Sequence, residues 1–327
     1  MATTKAQPTA APPGEQTRKI RLSEVPWPEL ASTIALVVMA IFFAVINPGY
    51  LSEGNVSAML QASAILIVLT IGQTFVIATG GIDLAVASTM TLGAIVLGEF
   101  YAAGWNIWAA ALAGLVAATL VGVLNGLVIS KGGITDFIVT LGTLSAASGL
   151  ALIVADGQKT TIVEPVLLRL SVNGIWIFSW SVLIAVGLAV LAHVVLFHTR
   201  FGLHVLAIGG SEESSRAVGI RTWLVKTGVY VISAALVGIA ALLLVARVGA
   251  AEPAANTSFL LNSVAAVVLG GVSLFGGRAT IVGPVVGALL LTALVNGLTR
   301  VGLSEFYQPL TVGIVVVLAA FITRYQK

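Results

Sequence analysis

Ten apolar runs separated by short polar breaks fill most of this chain and leave it few folds to choose from. Their approximate limits are 31–46, 62–79, 84–100, 107–130, 136–155, 175–197, 227–246, 259–275, 280–297 and 308–323. A helix rises about 1.5 Å per residue and the bilayer core is about 30 Å thick, so one crossing takes roughly 20 apolar residues. Inside that core the backbone must satisfy its own polar groups, and runs of this length do so as helices. The expected fold is all-α: a polytopic helical membrane protein with about ten transmembrane helices. A soluble domain is excluded, because only 9% of the 327 residues are charged, against about 25% in soluble proteins.

Residues 1–30 are polar and Pro/Ala-rich, with Arg18, Lys19 and Arg21 close to the first run. They read as a disordered cytoplasmic tail ahead of a transmembrane domain at 31–327. The first run begins too late for a signal peptide and no small-residue cleavage pattern follows it, so it reads as a retained span. With that tail inside, twelve of the 16 Lys and Arg fall on the cytoplasmic side and four (Lys159, Arg169, Arg247, Arg300) outside. This bias predicts both termini cytoplasmic in an inner membrane, and makes 198–226 the longest cytoplasmic loop. The net charge of +3 is scattered through loops rather than gathered on one face, which argues against nucleic-acid binding. With no cysteine there is no thiolate metal site, and His193, His198 and His204 lack zinc-site spacing. No metal site and no catalytic residues are expected.

At an offset of 171 the sequence matches itself without a gap: Ala117 with Ala288, Leu120 with Leu291, Asn125-Gly126-Leu127 with Asn296-Gly297-Leu298, Thr140 with Thr311, and Gly142 with Gly313. These lie in runs four and five against nine and ten, which would cross in opposite senses, as an inverted repeat requires. Chance identity in an Ala/Leu/Gly/Val-rich chain is the competing reading. The spacings Gly122/Gly126 and Gly283/Gly287 suit close helix contacts. Adjacent glycines at Gly80-Gly81, Gly270-Gly271 and Gly276-Gly277 weaken a helix and mark breaks or sharp turns.

Asp83 follows the first of these pairs, between two strongly apolar helices. An ionised Asp at mid-membrane costs roughly 3 kcal/mol on insertion scales, so it must face a partner, a cavity or the membrane edge. It can cap the following helix, or shape a broken helix that gates a polar solute. With Gly80 and Gly81 it forms a candidate pathway or gating group together with Gln73, Asn125, Thr140, Thr143 and Asn296. The amides and hydroxyls of this group can bond a polyol, or another helix. The shortage of embedded charge opposes an ion-coupled carrier. In the long loop Ser211 can cap a short helix over 211–218 that has Glu212 and Glu213 in its first turn and stops at Gly219. No GxxxxGK[ST] sequence occurs, so any ATP hydrolysis would belong to another chain.

GGIDL (80–84), FIVTLGT (137–143), TRFGLHVLAIGG (199–210), SRAVGI (215–220), AAVVLGGVSLFGGR (265–278) and NGL (296–298) occur in this order. From about Pro48 to the C-terminus the chain resembles the ribose/xylose/galactose-type permeases of ABC sugar importers. The resemblance implies a second permease copy, an ABC ATPase binding ATP and Mg, and a periplasmic sugar-binding protein. It also implies that Gly209, Gly210, Ser211, Glu212, Glu213, Arg216 and Gly219 form the segment that couples to the ATPase. Departures are Ala85 and Ala87, where such permeases usually carry Ser and Gly, Ser211 for Asn, and Ser214-Ser215 for an alanine pair. The expected function is the membrane path for a monosaccharide; the rival class is a self-sufficient secondary carrier.

Overall fold

The computed structural model of the chain describes residues 27–254 and 257–324. Most of the predicted tail, with Lys5, Arg18, Lys19 and Arg21, lies outside the described residues, as does Lys327. The helices run α1 (Trp27–Ile46), α2 (Glu53–Ala78), α3 (Val86–Ala102), α4 (Ile107–Ser130), α5 (Asp136–Val154), α6 (Pro165–Val172), α7 (Trp180–His198), α8 (Arg200–Gly210), α9 (Glu212–Ala217), α10 (Thr222–Val248), α11 (Thr257–Leu269), α12 (Val282–Arg300) and α13 (Gln308–Arg324). Two small antiparallel pairs interrupt them: β1 (Thr160–Thr161) with β4 (Ala250–Ala251), and β2 (Gly174–Ile175) with β3 (Phe178–Ser179).

Each of the ten predicted runs contains a helix. Among the described residues six helices are long and apolar enough to cross a membrane: α2, α4, α5, α7, α10 and α12. Three further apolar segments are shorter: Leu30–Ile46 of α1, α3 and α11. Several predicted limits move for local reasons. α1 starts inside the predicted tail, at Trp27. α2 starts at Glu53 rather than 62: Gly54, Asn55 and Ser57 are weak helix formers, but Asn55 is held by bonds to the Tyr50 carbonyl and to Asn296 and Arg300. α7 starts at Trp180, because 174–179 folds as a hairpin. α11 stops at Leu269, where Gly270-Gly271 ends it with Gly271 at φ +81°.

α2 and α10 form the centre: 83% and 67% of their most apolar windows are buried, against 17% for α5 and 28% for α7. A helix apolar all round is either core or lipid-facing, and packing alone separates the two. Small residues bring the central helices together. A Cβ on Gly122 would meet the Tyr230 carbonyl at 2.5 Å, and one on Gly126 would meet Thr227 Cα at 2.8 Å, so α4 and α10 pack backbone to backbone. Gly283 and Gly287 bring α12 equally close to Gly270 and Ala266.

The 171-residue offset extends beyond the four helices that suggested it. Shifted by that offset, the starts of α2, α3, α4 and α5 fall within four residues of the starts of α10, α11, α12 and α13. Packing repeats as well: α10 lies on α4 as α2 lies on α12, and α3 contacts α4 and α5 as α11 contacts α12 and α13. Gly81 approaches Tyr230 while Gly72 approaches Ser233, so α2 and α10, equivalent in the repeat, run antiparallel.

Candidate functional site

α2 ends at Ala78, and residues 79–85 leave the helical path before α3 begins at Val86. Gly80, at φ +79°, makes the turn that a side chain would oppose. Side chains from two helices then hold the exposed backbone groups. Gln73 of α2 donates from Nε2 to the Asp83 carbonyl at 2.7 Å. Asp136, the first residue of α5, accepts from the Ile82 amide at 3.2 Å. One turn on, Thr140 Oγ1 donates to the carbonyls of Asp136 (2.7 Å) and Ile82 (3.3 Å). Gly81 leaves room for two polar neighbours: a Cβ there would lie 2.8 Å from Asp136 Oδ2 and 3.1 Å from the buried Tyr230 hydroxyl.

Asp83 is 5% exposed, and its Oδ1 accepts from the Ala85 amide at 2.9 Å. The residue that caps α3 is Ala85, without a side-chain bond, so the cap expected of Asp83 is not formed. Two residues upstream of the cap, a short carboxylate reaches only the amide two positions ahead and closes an Asx turn. Gln73 is fully buried and its Oε1 has no protein partner among the described residues. Amide, hydroxyl and carboxylate groups thus converge on the non-helical segment between α2 and α3 and hold its backbone.

Gln73, Gly80, Gly81, Asp83 and Thr140 come together here; the other three candidates do not join them. Asn125 accepts from Thr143 Oγ1 at 2.6 Å and ties α4 to α5. Asn296 exchanges amide bonds with Asn55 at 2.9 and 3.1 Å, and Arg300 donates to the same Asn55 at 2.9 Å. Asn296 lies 14 residues, about 21 Å, along α12 from the end near the break, and pins α12 to α2. Asp136 and Tyr230 were missed from the sequence. Asp136 stands four residues before Thr140, the helical spacing that places both on one face, but an acidic first-turn residue reads as ordinary helix stabilisation. Nothing local singles out Tyr230.

The predicted coupling segment is a helix. Ser211 Oγ accepts from the Ser214 amide at 3.2 Å, α9 runs over Glu212–Ala217, and Gly219 follows at φ +87°. Glu213, Ser214, Arg216, Ala217 and Val218 are exposed, Val218 by 77%. Glu212 instead turns toward α10, its carboxylate between Arg216 at 2.6 Å and Lys226 at 3.0 Å. Partial burial would raise its pKa, but the hydrogen bonds and charges of Lys226 and Arg216 outweigh that and hold it below the ordinary Glu value. α8 was not foreseen, although Thr199 caps it and Val205 and Ile208 repeat at helical spacing on its buried face. Gly209 is packed inside rather than displayed: a Cβ there would overlap the Ala78 carbonyl and the Gly277 amide. Among the described residues no group of three or more His, Asp or Glu could hold a metal ion.

Residues 55–320 match the family described as branched-chain amino acid transport system / permease component. The chain belongs to this permease family. Among its relatives the permease is 35% identical over 305 residues to the ribose import permease protein of Bacillus subtilis, covering 90% of this chain and 92% of that one. It is 32% identical to the ribose import permease protein of Escherichia coli K12 over 310 residues, with 91% and 94% covered. The L-arabinose ABC transporter permease protein of Azospirillum brasilense is 30% identical over 307 residues, with 92% and 90% covered. No solved structure matches the permease.

Proposed function

We propose that this permease forms the membrane path of a bacterial ABC importer for a monosaccharide. A second permease copy, an ATPase chain that binds ATP and Mg, and a periplasmic sugar-binding protein complete the transporter. The observation that carries this reading is α9, a capped helix whose outward face, from Glu213 to Val218, is left free for another protein. The sequence contains no phosphate-binding GxxxxGK[ST], which supports assigning hydrolysis to that other protein. The ribose and L-arabinose permeases among its relatives, together with the fructose import permease protein of Rhizobium meliloti at 30% identity, support a monosaccharide as the solute.

In this reading the ten apolar helices α1–α5, α7 and α10–α13 all cross the inner membrane, and the antiparallel halves make an inverted repeat. Both termini then face the cytoplasm with α8 and α9, and the break after α2 lies toward the same side. Trp105, Trp108, Trp176 and Trp180, the exposed tryptophans among the described residues, would all sit at the periplasmic interface, the depth that indole favours.

Uptake of labelled ribose, arabinose and fructose is the test, in proteoliposomes holding the permease with and without its ATPase and binding protein. ATP-dependent uptake that needs all the chains is the expected result. Uptake by the permease alone would make it a secondary carrier and overturn the reading.

A further inference from the structure

Three glycine pairs far apart in the chain meet at one point. Gly80-Gly81 opens the break after α2, Gly209-Gly210 ends α8, and Gly276-Gly277 lies in the loop between α11 and α12. The Gly277 amide donates to the carbonyl of Ala78, the last residue of α2, at 3.0 Å. A Cβ on Gly276 would stand 2.7 Å from the Gly80 nitrogen and 2.9 Å from Gly209 Cα. One on Gly277 would stand 3.0 Å from both Gly210 Cα and its nitrogen, and one on Gly209 would overlap Ala78 and Gly277. The contact is therefore backbone on backbone on every side. Gly80, Gly276 and Gly277 also hold φ near +75° to +79°, a region that side chains resist.

A contact made by side chains has slack, because rotamers change before the backbone moves. Backbone packed directly on backbone lacks that slack, as tightly packed interiors transmit strain. α8 leads into α9 through Ser211 alone, so a displacement of α9 reaches Gly210 and Gly209 directly along the chain, as well as α10 through Glu212 and Lys226. Gly209 in turn touches the end of α2 and the loop before α12. We infer that this junction of three glycine pairs is a rigid joint that carries movement of α8 and α9 into the break between α2 and α3, with Gly209 as its positioning residue. The inference rests on the importer reading above, in which α9 is moved by an ATPase.

The test uses the assembled transporter and reads two quantities: labelled ribose taken up per ATP hydrolysed, and the amount of assembled complex. Gly209→Ala wedges the joint open, and uptake per ATP is expected to fall at least tenfold in the complex that assembles. Gly187→Ala, on the exposed face of α7 with nothing within 4 Å, serves as the control. A purely structural role would lower the amount assembled and leave the ratio unchanged, which would overturn the joint. Should Gly209→Ala fail to assemble, Gly276→Ala is read in the same way. A second arm wedges less: Gly80→Ala, whose Cβ would lie 3.4 Å from the Phe275 carbonyl, is also expected to lower uptake per ATP, and an unchanged ratio in the assembled complex would overturn the joint. A wild-type complex without ATP-dependent uptake of any of the three sugars sinks the importer reading instead, so the two failures are distinguishable.

Discussion

Asp83 holds its turn through an acceptor oxygen, not through a charge partner: its recorded bond is from the Ala85 amide to Oδ1. Asparagine offers the same oxygen at the same distance along the side chain, so Asp83→Asn should assemble and keep most uptake. Asp83→Leu leaves the buried Ala85 amide unpaired, at a cost of about 1–3 kcal/mol, and should lower both the amount of assembled permease and its uptake. Thermal unfolding in detergent and uptake per assembled complex check both variants. Equal and complete loss of uptake in both, with assembly intact, would mean that the carboxylate charge is used directly. The sequence marked Asp83 as unusual because a lone acid between apolar helices is costly, yet it could not assign its partner. That choice depends on where α3 starts, and the two-residue shift from 84 to 86 turned an expected cap into a turn.

Among elements, α9 was the most legible, because its start and stop are written in consecutive residues: the Ser211 hydroxyl, two acidic residues in the first turn, and Gly219. Its rigidity is testable at Val218, whose amide donates to the Ser214 carbonyl at 3.2 Å. Val218→Pro removes that donor and disfavours helical geometry at Ala217, at a cost of up to about 3 kcal/mol in a helix interior and less at this last turn. The expected outcome is a permease that still inserts but binds the ATPase weakly or no longer links hydrolysis to uptake; co-purification and uptake per ATP measure the two effects. Unchanged values for both would reduce α9 to a connector. α8 was harder to see, since its buried Val205 and Ile208 match the surrounding apolar sequence and only the Thr199 cap marks a new start. The break after α2 showed as a glycine pair and an acid, whereas its ties to Gln73, Asp136 and Thr140 span up to 58 residues and left no local trace.

For the whole molecule, the distribution of Lys and Arg predicts that both termini face the cytoplasm. Lys327→Cys in the cysteine-free chain should react with a membrane-impermeant maleimide only after the cells are opened. Labelling of intact cells would reverse the topology and move α9 to the wrong side for an ATPase. Sequence alone determined that the chain is helical and membrane-bound, because few charges and repeated apolar runs admit no other way to satisfy the backbone in lipid. It also located the helix breaks, since glycine pairs act within a few residues. Tertiary structure decided which apolar helices are core and which face outward: α2 and α5 look alike as sequences, but α2 is wrapped by neighbours and α5 is not. It likewise decided that three separate glycine pairs share one junction and that Asn296 pins helices far from the break. Hydrophobicity is a property of each residue and can be read along the chain, whereas contact between distant residues is settled only when the helices pack.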